Sequence, residues 1–249
     1  MNNKTKTMSD NRKALPKFLL FLLISLVVGF LVGLASGFLS SAFVPGQMIK
    51  QCHEFIVQTA PAAIWIVVIV FGGIGLSKYM KAKKIYEKWD EEDEELIEKA
   101  EMNINLSIMF SNIVMVLGFF LFGCIMILIE DFSYIGLAGF IASCAAAIIL
   151  QQKDVDLIRK LNPEKQGSVY DVHFHKKWVE SCDENEIRQI GQAAYKSWRV
   201  TNYTCIGLYL VTLMVSLIFE TGIFALVILS IIWLVLLTSF CFATFQASK

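Results

Sequence analysis

Six long apolar stretches divide this chain, and twenty-one of its twenty-two Lys and Arg residues fall on one side of them. The stretches cover residues 18–43, 57–76, 104–129, 134–150, 203–219 and 223–245. Each offers about 17–25 residues, enough to cross a hydrocarbon core about 30 Å thick. Five basic residues precede the first stretch, six lie between the second and third, nine between the fourth and fifth, and one follows the sixth. Lys50 alone lies on the opposite side. Basic residues beside span ends are retained in the cytoplasm, so both termini are expected there. An odd number of spans would scatter these charges over both faces. The expected fold is an all-α integral membrane protein, with six transmembrane helices as three hairpins.

Residues 1–15 are polar and without periodicity, and are expected to be disordered. Residues 16–249 then form a single membrane domain, with cytoplasmic segments at 77–103 and 151–202. The composition, 56% hydrophobic with zero net charge, leaves no basic excess that would point to nucleic acid. The first stretch has a basic n-region and a Ser40-Ser41-Ala42 sequence that resembles a signal-peptide cleavage site. Its apolar part of about 25 residues exceeds the usual h-region of about 7–15, so it is read as a retained span. Four of the six cysteines sit in spans and only Cys52 faces outward, which leaves no disulfide framework within one chain.

Small residues mark where helices approach closely. Gly29, Gly33 and Gly37 recur at four-residue spacing in the first span, and Gly139, Ser143 and Ala147 do so in the fourth. Each set makes a smooth face for another backbone. For the first set an internal seam is expected, with a second copy of the chain as the alternative. Met48, Ile49, Cys52, Phe55 and Ile56 predict a short amphipathic outer helix, with Pro61 in the first turn of the second span. Gly72, Gly73 and Gly75 are expected to loosen that span's inner end.

The segments leading into spans three and five match at an offset of 90 residues. Asp93, Glu94, Ile97, Ser111, Asn112 and Glu130 align with Asp183, Glu184, Ile187, Thr201, Asn202 and Glu220. Each copy places an acid-capped cytoplasmic helix before a span and a very short outer turn after it. Duplication in parallel orientation would produce this, and so would shared topology alone. Asp183 and Glu186 fit a capping box, followed by an apolar stripe of Ile187, Ile190, Ala194 and Trp198. Asn112 and Asn202 are the polar residues of most interest near the spans. An amide at that depth needs a partner on another helix; structural glue is the plainer role, a substrate contact the sharper one.

Familiar chemistries find little support. No span contains a histidine, and no Lys, Arg, Asp or Glu sits near the centre of a span. Proton relays and ion-coupled transporters usually need such groups. Neither G-x-S-x-G nor a P-loop occurs. His173, His175, Asp171 and Cys182 could be assembled into a zinc site, but alternate residues diverge on a helix. The acidic run from Asp90 to Glu95 suits a helix N-terminus better than a divalent cation. No metal, cofactor or catalytic residue is therefore expected.

One stretch is distinctive: Leu161-Asn162-Pro163-Glu164-Lys165-Gln166-Gly167-Ser168-Val169-Tyr170-Asp171, then Lys176-Lys177-Trp178, Ser181-Cys182-Asp183-Glu184, Tyr195-Lys196 and Thr201-Asn202-Tyr203-Thr204-Cys205. It resembles a family of six-span membrane proteins from Gram-positive bacteria catalogued only as a domain of unknown function. The resemblance implies a bacterial plasma membrane and carries no activity with it. A non-enzymatic accessory or regulatory role is expected, with lipid around the spans and a membrane or cytoplasmic protein as partner. Trp178, Tyr195 and Trp198 on segment 151–202 are the expected anchors of that contact. The alternative is a small transporter or exporter subunit, paired with an ATPase through the cytoplasmic helices.

Overall fold

The computed structural model describes residues 20, 23, 27, 45–89, 93–129, 133–171, 173–219 and 221–247. Every regular element among them is helical: α1 (Pro45–Val67), a π-helical turn (Val68–Gly72), α2 (Gly73–Tyr86), α3 (Glu94–Leu128), α4 (Tyr134–Leu161), α5 (Phe174–Glu180), α6 (Glu184–Phe219) and α7 (Phe224–Ala247). Five stretches are long and apolar enough to cross a membrane: Lys50–Tyr86, Glu95–Leu128, Tyr134–Leu161, Glu184–Phe219 and Phe224–Thr244. They cover the second to sixth apolar stretches of the sequence, falling a residue short at the ends of two of them. Gly29, Gly33 and Gly37 lie outside the described residues, as do residues 1–15, Glu130, Asp131 and Glu220.

The separate outer helix expected before the second span is not there. Helix α1 runs unbroken from Pro45 through Pro61 and passes by the π-helical turn into α2. Pro45 takes the first helical position, where its missing N–H costs nothing. Pro61 sits in the interior and forfeits one backbone hydrogen bond. Ala60 and Ile64 on either side of it are buried, and that packing carries the helix through.

Helix ends follow local rules. The Asp93 carboxylate accepts from the N–H groups of Glu95 and Leu96 to cap α3. The Ser133 hydroxyl accepts from Gly136 N–H to cap α4. Asp183 and Glu186 form the reciprocal capping box, at 2.7 and 2.9 Å.

The chain divides into two compact units. In the unit spanning Lys50–Ala193, the α1–α2 helix, α3 and α4 pack as three helices. Helix α3 buries Ala100, Ile104, Ser107, Ser111, Val114, Gly118 and Ile125. Helix α4 buries Gly136, Gly139, Ser143, Ala147, Leu150, Asp154 and Leu157. Both rows advance mostly by alternating steps of three and four, which keeps one narrow face turned to a neighbour. Glycine is required at two crossings: a Cβ on Gly118 would sit 2.3 Å from Ser143 Oγ, and one on Gly139 would sit 2.5 Å from Ile64 Cγ2. Toward the basic ends of the helices, Ala82, Ile104 and Leu157 form a core under Tyr79, Tyr86 and Ile158.

In the second unit, residues 194–219 of α6 and all of α7 form a helical hairpin. Its turn uses Gly222 at φ +76°, a left-handed conformation that favours glycine. Trp198 stacks on Phe240 with ring centroids 4.2 Å apart. No described side chain of α7 is fully buried, although nearly all are apolar. Water would not tolerate that surface, whereas lipid does.

Candidate functional site

The segment after α4 is short and polar, yet it is held as firmly as a core. Asn162 starts the turn, its side chain accepting from Glu164 N–H and its carbonyl from Lys165 N–H. Gly167 at φ +128° completes the reversal; a Cβ there would meet the Phe174 ring at 2.8 Å. The turn drives Lys165 inward until the residue is only 5% exposed. Its ammonium donates to the Glu186 carboxylate and to Cys182 Sγ at 3.1 Å, and stands 5.6 Å above the Trp178 ring. Glu186 is the capping-box residue of α6, so a single carboxylate oxygen holds both the helix start and the lysine.

Further bonds close the same segment. Gln152 on α4 accepts from the Ser168 hydroxyl at 3.0 Å and from Val169 N–H at 2.9 Å. The Ser181 hydroxyl accepts from Gln166 N–H at 3.1 Å. Asp171 accepts from His173 N–H and from the Lys177 ammonium, which together hold its carboxyl below the usual carboxylate range. Lys165, Gln152, Glu186 and Ser181 thus make a clasp that folds residues 162–186 onto the helices. A pocket of about 180 Å³ opens beside it, lined in part by Glu101, Asn105, Lys165, Trp178 and Glu186.

The electrostatics suit fastening. Burial by itself would lower the Lys165 pKa, but the hydrogen bonds from its ammonium to Glu186 and Cys182 outweigh that and raise it. An amine kept protonated and bonded is a poor nucleophile. His173 and His175 are both exposed, and among the described residues no three His, Cys, Asp or Glu side chains group as metal ligands.

A second polar centre lies between α3 and α4. Asp154 is 0% exposed and Ser107 is 0% exposed beside it. The Ser107 hydroxyl lies close enough to favour the charged carboxyl, but neither group makes a well-formed hydrogen bond among the described residues. A carboxylate removed from water with no cation beside it is unfavourable by several kcal/mol in round terms. Asp154→Asn is therefore expected to raise the thermal unfolding midpoint in detergent, with a gain of about 1–3 kcal/mol. A drop in the midpoint would show that the negative charge is needed at this position.

The remaining residues of interest fall into place around these centres. Asn112 Oδ1 accepts from Gln151 Nε2 on α4 at 2.9 Å, and Asn202 Oδ1 accepts from Trp233 Nε1 on α7 at 2.8 Å. The two asparagines aligned at an offset of 90 each reach the helix that follows, although their partners are not aligned with one another. Asn202→Leu leaves the Trp233 N–H unpaired, so a loss of about 0.6 kcal/mol, and at most about 2, is expected from unfolding in detergent. Gly139, Ser143 and Ala147 are all buried. Trp178 is half-buried, its ring tilted against Phe174 and facing Lys165. Trp198 is half-buried against Phe240, while Tyr195 is exposed.

Reading the sequence alone passes over Lys165, Gln152, Asp154 and Gly118. For Asp154 a signal exists: seven residues beyond Ala147 on the same stripe lies position 154. For Lys165 none exists, because its partners are 17 and 21 residues away across a turn.

A model of the family described as proteins of unknown function (DUF3169) matches residues 12–242. The distinctive stretch from Leu161 to Glu184 falls within this match and is the one that builds the clasp. No curated protein and no solved structure matches the chain.

Proposed function

For a chain that belongs to this family, we propose a non-enzymatic accessory or regulatory role in a bacterial plasma membrane. Six spans carry it, the first over residues 18–43, with both termini cytoplasmic. The matched halves at an offset of 90 descend from one duplicated hairpin with its leading helix. The working part is the cytoplasmic segment 151–202, which meets a membrane or cytoplasmic protein. One observation carries this reading: the clasp turns a connector into a fixed surface. A connector that only joined two spans would need no buried lysine. The clasp leaves Tyr170 and Val179 exposed on the outside, at 68% and 44%. An exposed tyrosine on a rigid support is the kind of anchor that partner contacts use, with Val179 as surrounding contact area. The test is site-specific photo-crosslinking in intact membranes from positions 170 and 179. A discrete adduct from each position is the expected result, the one from position 179 being abolished by Tyr170→Asp. A chain that yields no adduct from either position, and runs as a solitary monomer in mild detergent, sinks the proposal.

A transporter subunit is the second reading, supported by the Asp154 carboxyl buried beside Ser107 between α3 and α4. Buried ionisable groups among membrane helices commonly mark ion or substrate pathways. It requires flux in reconstituted vesicles that Asp154→Asn abolishes.

A further inference from the structure

The π-helical turn opens a groove on the side of the three-helix unit. Val68, Ile69 and Gly72 of the turn face Ala146 and Ile149 of α4 across a cavity of about 340 Å³. Gly72 and Gly73 leave it open, since nothing lies within 4 Å of a Cβ at either position. A π-helical turn is rare, and where it occurs it often serves a site. The walls are apolar except at one end, where Lys153 forms the rim. Lys153 Nζ stands 6.0 Å above the Tyr79 ring, and among the described residues no carboxylate pairs with it. Its neighbour Asp154 is buried beside Ser107 and forms no ion pair with Lys153. The groove thus has an apolar trough that ends in an unpaired cation beside an aromatic ring. Lys153 follows directly after the apolar run Ile148-Ile149-Leu150 and the pair Gln151-Gln152. That is the depth of the headgroup layer in the membrane reading above, on which this inference rests.

We propose that this groove binds one anionic phospholipid, with an acyl chain along the Gly72–Gly73 trough and the phosphate on the Lys153 ammonium. The chain's gain is van der Waals packing in the trough, since it leaves hydrocarbon for hydrocarbon, and the preference for an anionic headgroup comes from a single charge-assisted contact. Zwitterionic lipid offers the same chain, but its own cation competes for the phosphate. The ligand is a diacyl lipid rather than free glycerol phosphate, because the trough is the larger part of the site.

The test uses the full chain purified in mild detergent and titrated with phosphatidylglycerol, phosphatidylcholine or glycerol phosphate, read by native mass spectrometry and thermal shift. The expected result is one retained phosphatidylglycerol per chain, bound about tenfold more tightly than phosphatidylcholine, with no response to glycerol phosphate. Gly72→Leu fills open space and Lys153→Gln removes the charge; each is expected to weaken phosphatidylglycerol about tenfold. Lys83→Gln, a change at a lysine paired with Glu87, is expected to leave it unchanged. The lipid-free unfolding midpoint of each variant reports whether it folds. Equal binding of both lipids, or wild-type binding by folded Gly72→Leu and Lys153→Gln, overturns the proposal and assigns the groove to helix packing. Release of the chain from membranes by carbonate would instead overturn the membrane reading itself.

Discussion

Lys165→Ala is expected to release residues 162–186 from the helices. Removing one partner of a buried ion pair strands the other charge, a loss of about 3–5 kcal/mol when both are fully enclosed. The Glu186 side chain is 31% exposed, so water recovers part of this and about 2–3 kcal/mol is expected. Hydrogen exchange over residues 163–183 should quicken markedly, and trypsin should cut at Lys176 and Lys177 before the spans are touched. Lys165→Met with Glu186→Gln should recover more than half of the loss. Glutamine still accepts from Asp183 N–H, and methionine fills the space beside Trp178. The pH dependence has a definite sign. Lys165's pKa is raised above its ordinary value of 10.5, so the clasp is intact throughout the neutral range and weakens only as the pH climbs past that value. Unchanged exchange in Lys165→Ala would mean that Gln152 and Ser181 hold the segment without it.

Gly118→Val and Gly139→Val should damage the helix bundle itself. A Cβ at Gly118 collides with Ser143 at 2.3 and 2.9 Å, and one at Gly139 collides with Ile64 at 2.5 Å. Overpacking of this kind destabilises by about 1–3 kcal/mol, and the atoms met, Ser143 Cβ and the branched Ile64 Cγ2, lie too near their own backbones to swing clear. Gly123 is the internal control. Nothing lies within 4 Å of a Cβ there, so Gly123→Ala should be neutral or stabilise by about 0.5–1 kcal/mol. Gly118→Ala with Ser143→Gly exchanges the small residue between the two helices and should restore most of what Gly118→Ala loses. Tryptophan-fluorescence melting in detergent reads all of these. A Gly118→Val protein as stable as Gly123→Ala would show that α3 and α4 do not meet at that crossing.

The two halves of this contrast differ in how far their causes lie along the chain. The apolar stretches, the caps at Asp93 and Ser133, and the capping box of Asp183 with Glu186 depend on residues within a few positions of one another. A sequence displays such patterns directly. The stripe of Gly139, Ser143 and Ala147 is equally plain, because helical spacing is regular. The interior Pro61 is different: by local rules it belongs at a helix start, and only burial of Ala60 and Ile64 keeps α1 continuous through it. Trp178 is similar: that a lysine 13 positions earlier lies over its ring is decided by the fold of the turn between them.

The order of the apolar stretches and the capped helix starts at Asp93, Ser133 and Asp183 were set by the sequence itself, since hydropathy and first-turn hydrogen bonding act locally. Which lysine is buried, which carboxyl is enclosed between helices, which glycine sits at a crossing and which face of a helix opens into a groove were decided only by the tertiary structure. These depend on how separate helices meet, and a side chain's surroundings there come from positions tens of residues away.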